Sequence, residues 1–407
     1  MNTGDLVKLR IDSIAYRGAG VARSDDGCVV FTPGVCEGEA VEARITRLHP
    51  RFAEAELVTV EKPARGRIDP VCRVNGVRVP GCVYDHMSYD AEIAAKADQF
   101  RGFISRQAKV DNFSDICGEP FPSPRDLHYR NKIVLHAQRR RGSLVLGYLG
   151  EDNVTVIDIP QCPLAVPEIN EKLASLRADA KFMDSLHDGD EVTLRWSSLK
   201  GVISWVGDTQ RNLPPLKEHA LFGDVEIPAG AFYQVNPFAS GELVRRVSEF
   251  VKSEKPRAVV DVYCGVGVFA LAAAAAGAGR CLGIESGRAA IAAARRNSER
   301  LGLPAEFGCM PADEGLDSAL FEVMHSHSSG VCVILDPPRD GLDPRMRSML
   351  ERHRPDTVLY VSCSPDTLAR DILELKERAG YEVESTSLID MFPRTAHFET
   401  FTVLRRG

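Results

Sequence analysis

No apolar run in this 407-residue chain approaches the about twenty residues that a helix needs to cross a bilayer. The opening stretch, MNTGDLVKLRIDS, lacks the apolar centre of a secretory signal, so the chain is expected to stay in the cytoplasm, away from membranes. Excess positive charge is missing as well. The formal net charge is −7, which argues weakly against a partner with a phosphate backbone and shifts the question to local clusters. There is no internal repeat, and no low-complexity tract beyond one Ala-rich helix. Cysteine is not scarce, but eleven of them, an odd number scattered over a chain without an export signal, point to reduced thiols rather than a disulfide framework.

What is present describes an ordinary globular protein, 44% hydrophobic and 26% charged, too long for one core. Three regimes follow one another. Residues 1–62 read as five short alternating strands separated by Gly-rich turns, the pattern of a small closed barrel of the oligonucleotide-binding type. Residues 63–230 mix Pro/Gly breaks with strand-like runs and one helical stretch, YDAEIAAKADQFRGFISRQA, which is expected to pack on the following domain. This regime also holds a basic segment, Arg125 to Arg141, with six Lys or Arg against one Asp and with His128, Tyr129 and His136 interleaved. Such mixing suits a phosphate-and-base surface, or else a solvated hairpin face. Residues 231–407 alternate strands with helices, the signature of a doubly wound α/β domain with a parallel sheet.

The chemistry gathers in that last domain. In VVDVYCGVGVFAL a strand runs into a turn at Gly265 and Gly267 and then into a helix, a place where backbone can approach a ligand closely. The spacing is not the dinucleotide G-x-G-x-x-G. Eighteen residues past Gly267, Glu285 ends the next strand, where a carboxylate can accept both hydroxyls of a ribose. Together these favour S-adenosylmethionine over a nicotinamide. Asp313 is a candidate adenine-side contact or a solvated loop acid. Asp336 leaves a strand in VILDPPRDGL, held by two prolines at the edge where open α/β sheets bind ligands. Cys363 ends another strand at the same edge, in VLYVSCSPDT. A thiolate there can add to C6 of uracil and make C5 nucleophilic toward a sulfonium methyl, after which a base must remove the C5 proton. Glu399, in FPRTAHFETF, is an available carboxylate, with His397 nearby.

The motifs FYQVNP, DVYCGVGVF, LDPPRDG, SCSPDTLARD and DMFPRTAHFE, in this order, resemble those of the uracil-C5 RNA methyltransferases, which form 5-methyluridine in 23S ribosomal RNA or in the T loop of tRNA. The resemblance runs the full chain, and the N-terminal barrel looks like a TRAM domain. It implies a Rossmann-like methyltransferase domain that uses S-adenosylmethionine on RNA. By the same resemblance Cys363 is the nucleophile and Glu399 the base, Gln234 and Asp336 line the pocket of uracil and cofactor, and Tyr263, Glu285 and Asp313 touch the cofactor. A monomer is the default. The competing readings are a 5-methylcytosine enzyme, a small-molecule methyltransferase, and an RNA-binding assembly factor that has lost its chemistry.

The sequence departs from the family's pattern in three places. Ser364 stands where Asn often follows the nucleophile, and Val268 occupies a turn position that is often polar. Many relatives hold a [4Fe-4S] cluster on four cysteines; here Cys72, Cys82 and Cys162 fit the pattern, but Val79 sits at the middle ligand position. Three readings remain open: a relic without metal, a cluster completed by another ligand such as Cys117, and a zinc site.

Overall fold

The computed structural model describes residues 1–140, 142–208, 212–327 and 329–407, so Arg141 of the basic segment lies outside the described residues. At the N-terminus, β1 (Leu6–Arg10), β2 (Ser13–Ile14), β3 (Ala19–Arg23), β4 (Val29–Pro33), β5 (Ala40–Leu48) and β6 (Phe52–Lys62) form one sheet in the order β1-β5-β6-β4-β3-β2. Six strands appear where five are expected, because the chain changes partners within its first strand. The Ile11 amide bonds to Glu39 O (2.9 Å) at the start of β5, whereas the next amide, Asp12, bonds to Val21 O (2.8 Å) of β3. Alternate residues, among them Leu9, Val30, Val41 and Ile45, turn inward to form the barrel core.

A short hairpin of β7 (Arg73–Val74) and β8 (Val77–Arg78) precedes α1 (Tyr89–Gly102), which is capped by the Ser88 hydroxyl and extended by a π turn over Phe103–Gln107. This helix serves two cores: Ala95 joins the barrel, while Phe100 and Ile104 join the C-terminal domain. After α2 (Phe113–Ile116), the central sheet is built from β9 (Lys132–Arg140), β10 (Ser143–Leu149), β11 (Val156–Asp158), β12 (Glu191–Ser197) and β13 (Gly201–Val206), in the order β11-β10-β9-β12-β13. The helices α3 (Pro167–Ala178) and α4 (Ala180–Ser185) lie between β11 and β12 in the chain, and β14 (Leu216–Ala220) pairs with β15 (Gly223–Ile227) as a separate hairpin.

The last domain opens with α5 (Ser240–Glu254), followed by β16 (Ala258–Val262), α6 (Val268–Ala275), β17 (Arg280–Glu285), α7 (Arg288–Leu301), β18 (Glu306–Cys309), α8 (Ala312–Ser326), β19 (Val331–Leu335), α9 (Pro344–His353), β20 (Thr357–Ser362), α10 (Pro365–Ala379), β21 (Tyr381–Ile389) and β22 (Glu399–Arg406). The sheet order is β18-β17-β16-β19-β20-β22-β21, with β22 antiparallel to both of its neighbours. Every residue of β16, β19 and β20 is buried, as expected for parallel strands covered on both faces. The order reverses beside β16, so the carboxyl ends of β16, β17, β19 and β20 open onto one crevice.

Candidate active site

The glycine turn after β16 and the end of β17 face each other. Glu285 accepts from the Gly265 amide (3.3 Å) through one oxygen and from the Gly287 amide (2.7 Å) through the other, which fixes its carboxylate at the crevice. Asp261, on β16 and absent from the expected site, accepts from the Ala270 amide of α6 (2.8 Å), while its other oxygen is buried without a partner. Its signal was an acid inside an otherwise apolar strand.

Two cavities meet at this turn, sharing Phe232 and Gly265. The larger, about 660 Å³, is lined by Glu285, Gly287 and Ala290 on one side and Pro228 and Ala229 on the other. The smaller, about 60 Å³, brings Gln234, Tyr263, Gly265 and Asp336 together. A nucleoside with an apolar base pocket and a ribose on Glu285 fits this arrangement: Gly265 is at φ +53° with no atom within 4 Å of where a Cβ would stand, so the backbone itself forms the wall. Tyr263 takes the left-handed conformation, φ +65°, and burial followed by the charges of Asp343 and Asp313 pushes its hydroxyl up to about 12. Asp313 itself lies in the first turn of α8 and pairs with Arg345 at 3.3 Å; it is not among the residues lining the two cavities.

Cys363 and Glu399 meet through strand register. β20 and β22 pair antiparallel up to Ser362 opposite Thr400, where the Thr400 hydroxyl donates to Ser362 O at 3.1 Å. Cys363 follows Ser362 and Glu399 precedes Thr400, so the two leave the end of this ladder side by side, near enough for the charge of Glu399 to act on the thiol. Cys363 is half-buried rather than part of an apolar core. Burial, then the charges of Glu399 and Asp336, push its thiol up to about 12, with Arg339 opposing. Burial first, and then the neighbouring acidic groups, favour the protonated thiol over the thiolate that addition to C6 requires. Burial also pushes Asp336 up to about 7 and raises Glu399 well above the usual carboxylate range, with Arg339 again pulling down on Glu399. Glu399 is 4% exposed and its Oε2 has no partner. His397 is driven down to about 4 by burial and by the positive charge of Arg339, so it is neutral.

Asp371, the last residue of the SCSPDTLARD motif, ties the loop after β19 to the helix that follows Cys363. It accepts from the Leu342 amide (2.8 Å) and the Tyr360 hydroxyl (2.7 Å), and pairs with Arg347 (3.1 Å). The loop carrying Asp336 and Arg339 is thereby anchored to α10, whose first turn follows Cys363.

The basic segment is not one RNA-facing stripe. Tyr129 is fully buried and donates to Pro393 O (2.9 Å), Arg125 lies over the Phe238 ring at 3.9 Å, and Arg130 bonds to Tyr129 (3.5 Å); Arg139 and Arg140 at the hairpin end are exposed. The three cysteines left open as a metal site fall in one apolar cluster. Cys72, Cys82 and Cys162 are each 1% exposed or less, and Val79 shares their apolar cluster with Val74, Ile133 and Leu146. Among the described residues no group of three or more His, Cys, Asp or Glu could hold a metal ion, and Val79 in the same cluster offers no donor, so these residues do not fit the four ligands of a four-iron cluster or a structural zinc. Cys117 sits apart, bridged to Thr386 of β21. No described helix is long and apolar enough to cross a membrane.

Residues 222–407 match the family model described as tRNA (Uracil-5-)-methyltransferase, and residues 2–58 match the TRAM domain. The 23S rRNA (uracil(1939)-C(5))-methyltransferase RlmD of Acidithiobacillus ferrooxidans is 30% identical over 97% of this chain and 96% of its own length. An uncharacterised RNA methyltransferase of Thermosynechococcus vestitus is 29% identical over 98% of both chains. Among solved structures, the Pyrococcus abyssi tRNA (uracil-54, C5)-methyltransferase in complex with S-adenosyl-L-homocysteine has a TM-score of 0.72 at 24% identity, covering 98% of this chain and 99% of its own.

Proposed function

Because the chain belongs to the family of RNA uracil-C5 methyltransferases, we propose that it forms 5-methyluridine in 23S ribosomal RNA through a temporary bond between Cys363 and C6 of the target uracil. The ribosomal target is favoured by the curated relatives of that name that span nearly the whole chain. The observation that supports the mechanism is the end of the β20–β22 ladder, Ser362 opposite Thr400, beside which the Cys363 thiol and the buried Glu399 carboxyl are close enough to interact.

The thiol proton leaves to solvent, and sulfur adds to C6; the displaced π electrons move through C5 to O4. C5 is then nucleophilic. S-adenosylmethionine, when bound at the Glu285 and Gly265 crevice, supplies the electrophilic methyl group. Glu399 next takes the C5 proton, the C5–C6 double bond forms again, and the C6–S bond breaks with its electron pair returning to sulfur. A carboxylate raised by burial holds that proton more strongly than a solvated one, which suits the task. Arg339 lowers both the thiol and Glu399 and so favours the ionised forms that each step requires. Gln234 and Asp336, which line the small cavity, would contact the uracil edge once the target uridine swings out of its stack. Tyr263 and Gly267 complete the cofactor turn.

Mass-spectrometric mapping of ribosomal and transfer RNA from a strain lacking the gene, complemented with the parental chain or with Cys363→Ala, tests this reading. Loss of one 5-methyluridine in 23S RNA, restored by the parental chain alone, is the expected result. Loss from the tRNA T loop would move the target, and restoration by Cys363→Ala would remove the covalent mechanism.

A further inference from the structure

The turn from Asp390 to Phe398 joins β21 to β22 and delivers Glu399. Because Glu399 Oε2 has no hydrogen bond of its own, the position of that carboxylate depends on its backbone. One side is set by the rung to β20. The other side is set by an ion cluster from α1. Lys96 is 0% exposed, and its ammonium donates to Glu92 Oε1 (2.7 Å), to Asp390 Oδ1 (2.8 Å) and to Phe392 O (3.2 Å). The Tyr89 hydroxyl donates to the other Asp390 oxygen (3.0 Å) and accepts from the Ser123 amide (2.7 Å). Glu92 Oε1 also accepts from the Arg394 amide (2.7 Å), and the Arg394 side chain, 3% exposed, donates to Met87 O (2.6 Å) and to Asp126.

As a source of stability this arrangement is poor. Desolvating an ammonium and two carboxylates costs several kcal/mol per ion, and well-packed apolar side chains of similar volume serve as well or better. What it supplies instead is direction: three groups of one turn, Asp390, Phe392 O and the Arg394 amide, are tied to fixed points on a rigid helix. Arg394 at φ +67° shows that the turn needs such external definition, since a non-glycine residue does not adopt that conformation by preference. The same helix bonds to the barrel, where the Gln99 amide donates to Ile14 O and Ala15 O, both at 3.2 Å.

We propose that Lys96, together with Glu92, is a positioning residue for Glu399: it holds the 390–398 turn so that the carboxylate reaches the C5 proton, and it links the seat of the N-terminal barrel to the base. This rests on Glu399 being the base. The step affected is the last one, in which Glu399 gains the C5 proton, the C5–C6 double bond forms and the C6–S bond breaks with its electrons on sulfur.

The test compares full-length parental protein, Glu92→Gln, the double variant Lys96→Met with Asp390→Asn, and Glu399→Gln, all at single turnover with tritiated S-adenosylmethionine and unmodified total RNA. Glu92→Gln keeps the shape of the side chain and an acceptor oxygen, and the double variant removes the ammonium and one partner charge together, so that Lys96 keeps Asp390 in the first and Glu92 keeps Arg394 in the second. Denaturing gels read the RNA–protein adduct, and nuclease digests read free methylated RNA. The positioning role predicts adduct formation at the parental rate with release slowed, by about a hundredfold in the double variant, as a small misplacement of a catalytic group costs. Formation and release slowed equally, or release at the parental rate while Glu399→Gln traps the adduct, would overturn it. If Glu399→Gln releases RNA normally, the assignment of the base fails first, and the inference falls with it.

Discussion

At the residue scale, the titrating groups of the site share one sign of shift. Cys363, Asp336 and Glu399 are all raised, chiefly by burial, so the pocket prefers its neutral forms. For Asp336, a folded-state value of about 7 above an ordinary 3.8 contributes stability that is fully present below the unfolded value and is lost as pH rises through about 7. Activity runs the other way, because the thiol must ionise to add and Glu399 must be ionised to accept a proton. The expected outcome is a single-turnover rate that climbs by about tenfold per pH unit through neutrality, while the melting temperature falls between pH 5 and 8 and Asp336→Asn flattens that fall. A rate that declines from pH 6 to 9 would contradict the proposed protonation states.

At the element scale, the turn after β16 divides its labour between two glycines. Gly267 is at φ +86°, and a Cβ there would stand 2.7 Å from the Phe307 ring and 3.2 Å from Ala294. Gly265, at φ +53°, has open space. Gly267→Ala is therefore expected to destabilise the fold by about 2–5 kcal/mol, the sum of left-handed strain and overpacking, whereas Gly265→Ala costs about 1–2 kcal/mol and mainly weakens cofactor binding. Thermal melts alongside titration of S-adenosylhomocysteine separate the two, and equal melting temperatures for both variants would contradict the packing argument. This turn was readable in advance because buried parallel strands write continuous apolar runs that end at glycine or an acid. α1 was readable as a helix but not as a clamp: Lys96 and Glu92 at i and i+4 look like a solvated pair, and only the partners brought in from residue 390 onward bury them. The basic segment misled for the related reason that composition does not tell which side chains turn inward: Tyr129, just before β9, is buried, and Arg130 bonds to its hydroxyl.

At the scale of the whole molecule, residues far apart in sequence converge on the Asp390–Phe398 turn. α1 grips it through Lys96, the loop after the cysteine hairpin grips it through the Val83 amide on Arg394 O (2.9 Å) and the Cys82–Thr395 bridge, and the central segment grips it through Tyr129. The buried Cys72, Cys82 and Cys162 belong to an apolar cluster that meets, through Cys82 and Thr395, the turn leading to Glu399. The motifs singled out Cys363 and Glu399, but their meeting was not legible, since it depends on an antiparallel last strand that no local pattern announces. The measurement that bears most directly on the covalent mechanism uses target RNA carrying 5-fluorouridine, whose fluorine cannot leave as a proton does. With S-adenosylmethionine present, the account predicts a stable RNA–protein adduct whose modified peptide contains Cys363 and whose base carries the transferred methyl group. Methylated, freely dissociating RNA with Cys363 unmodified would contradict it.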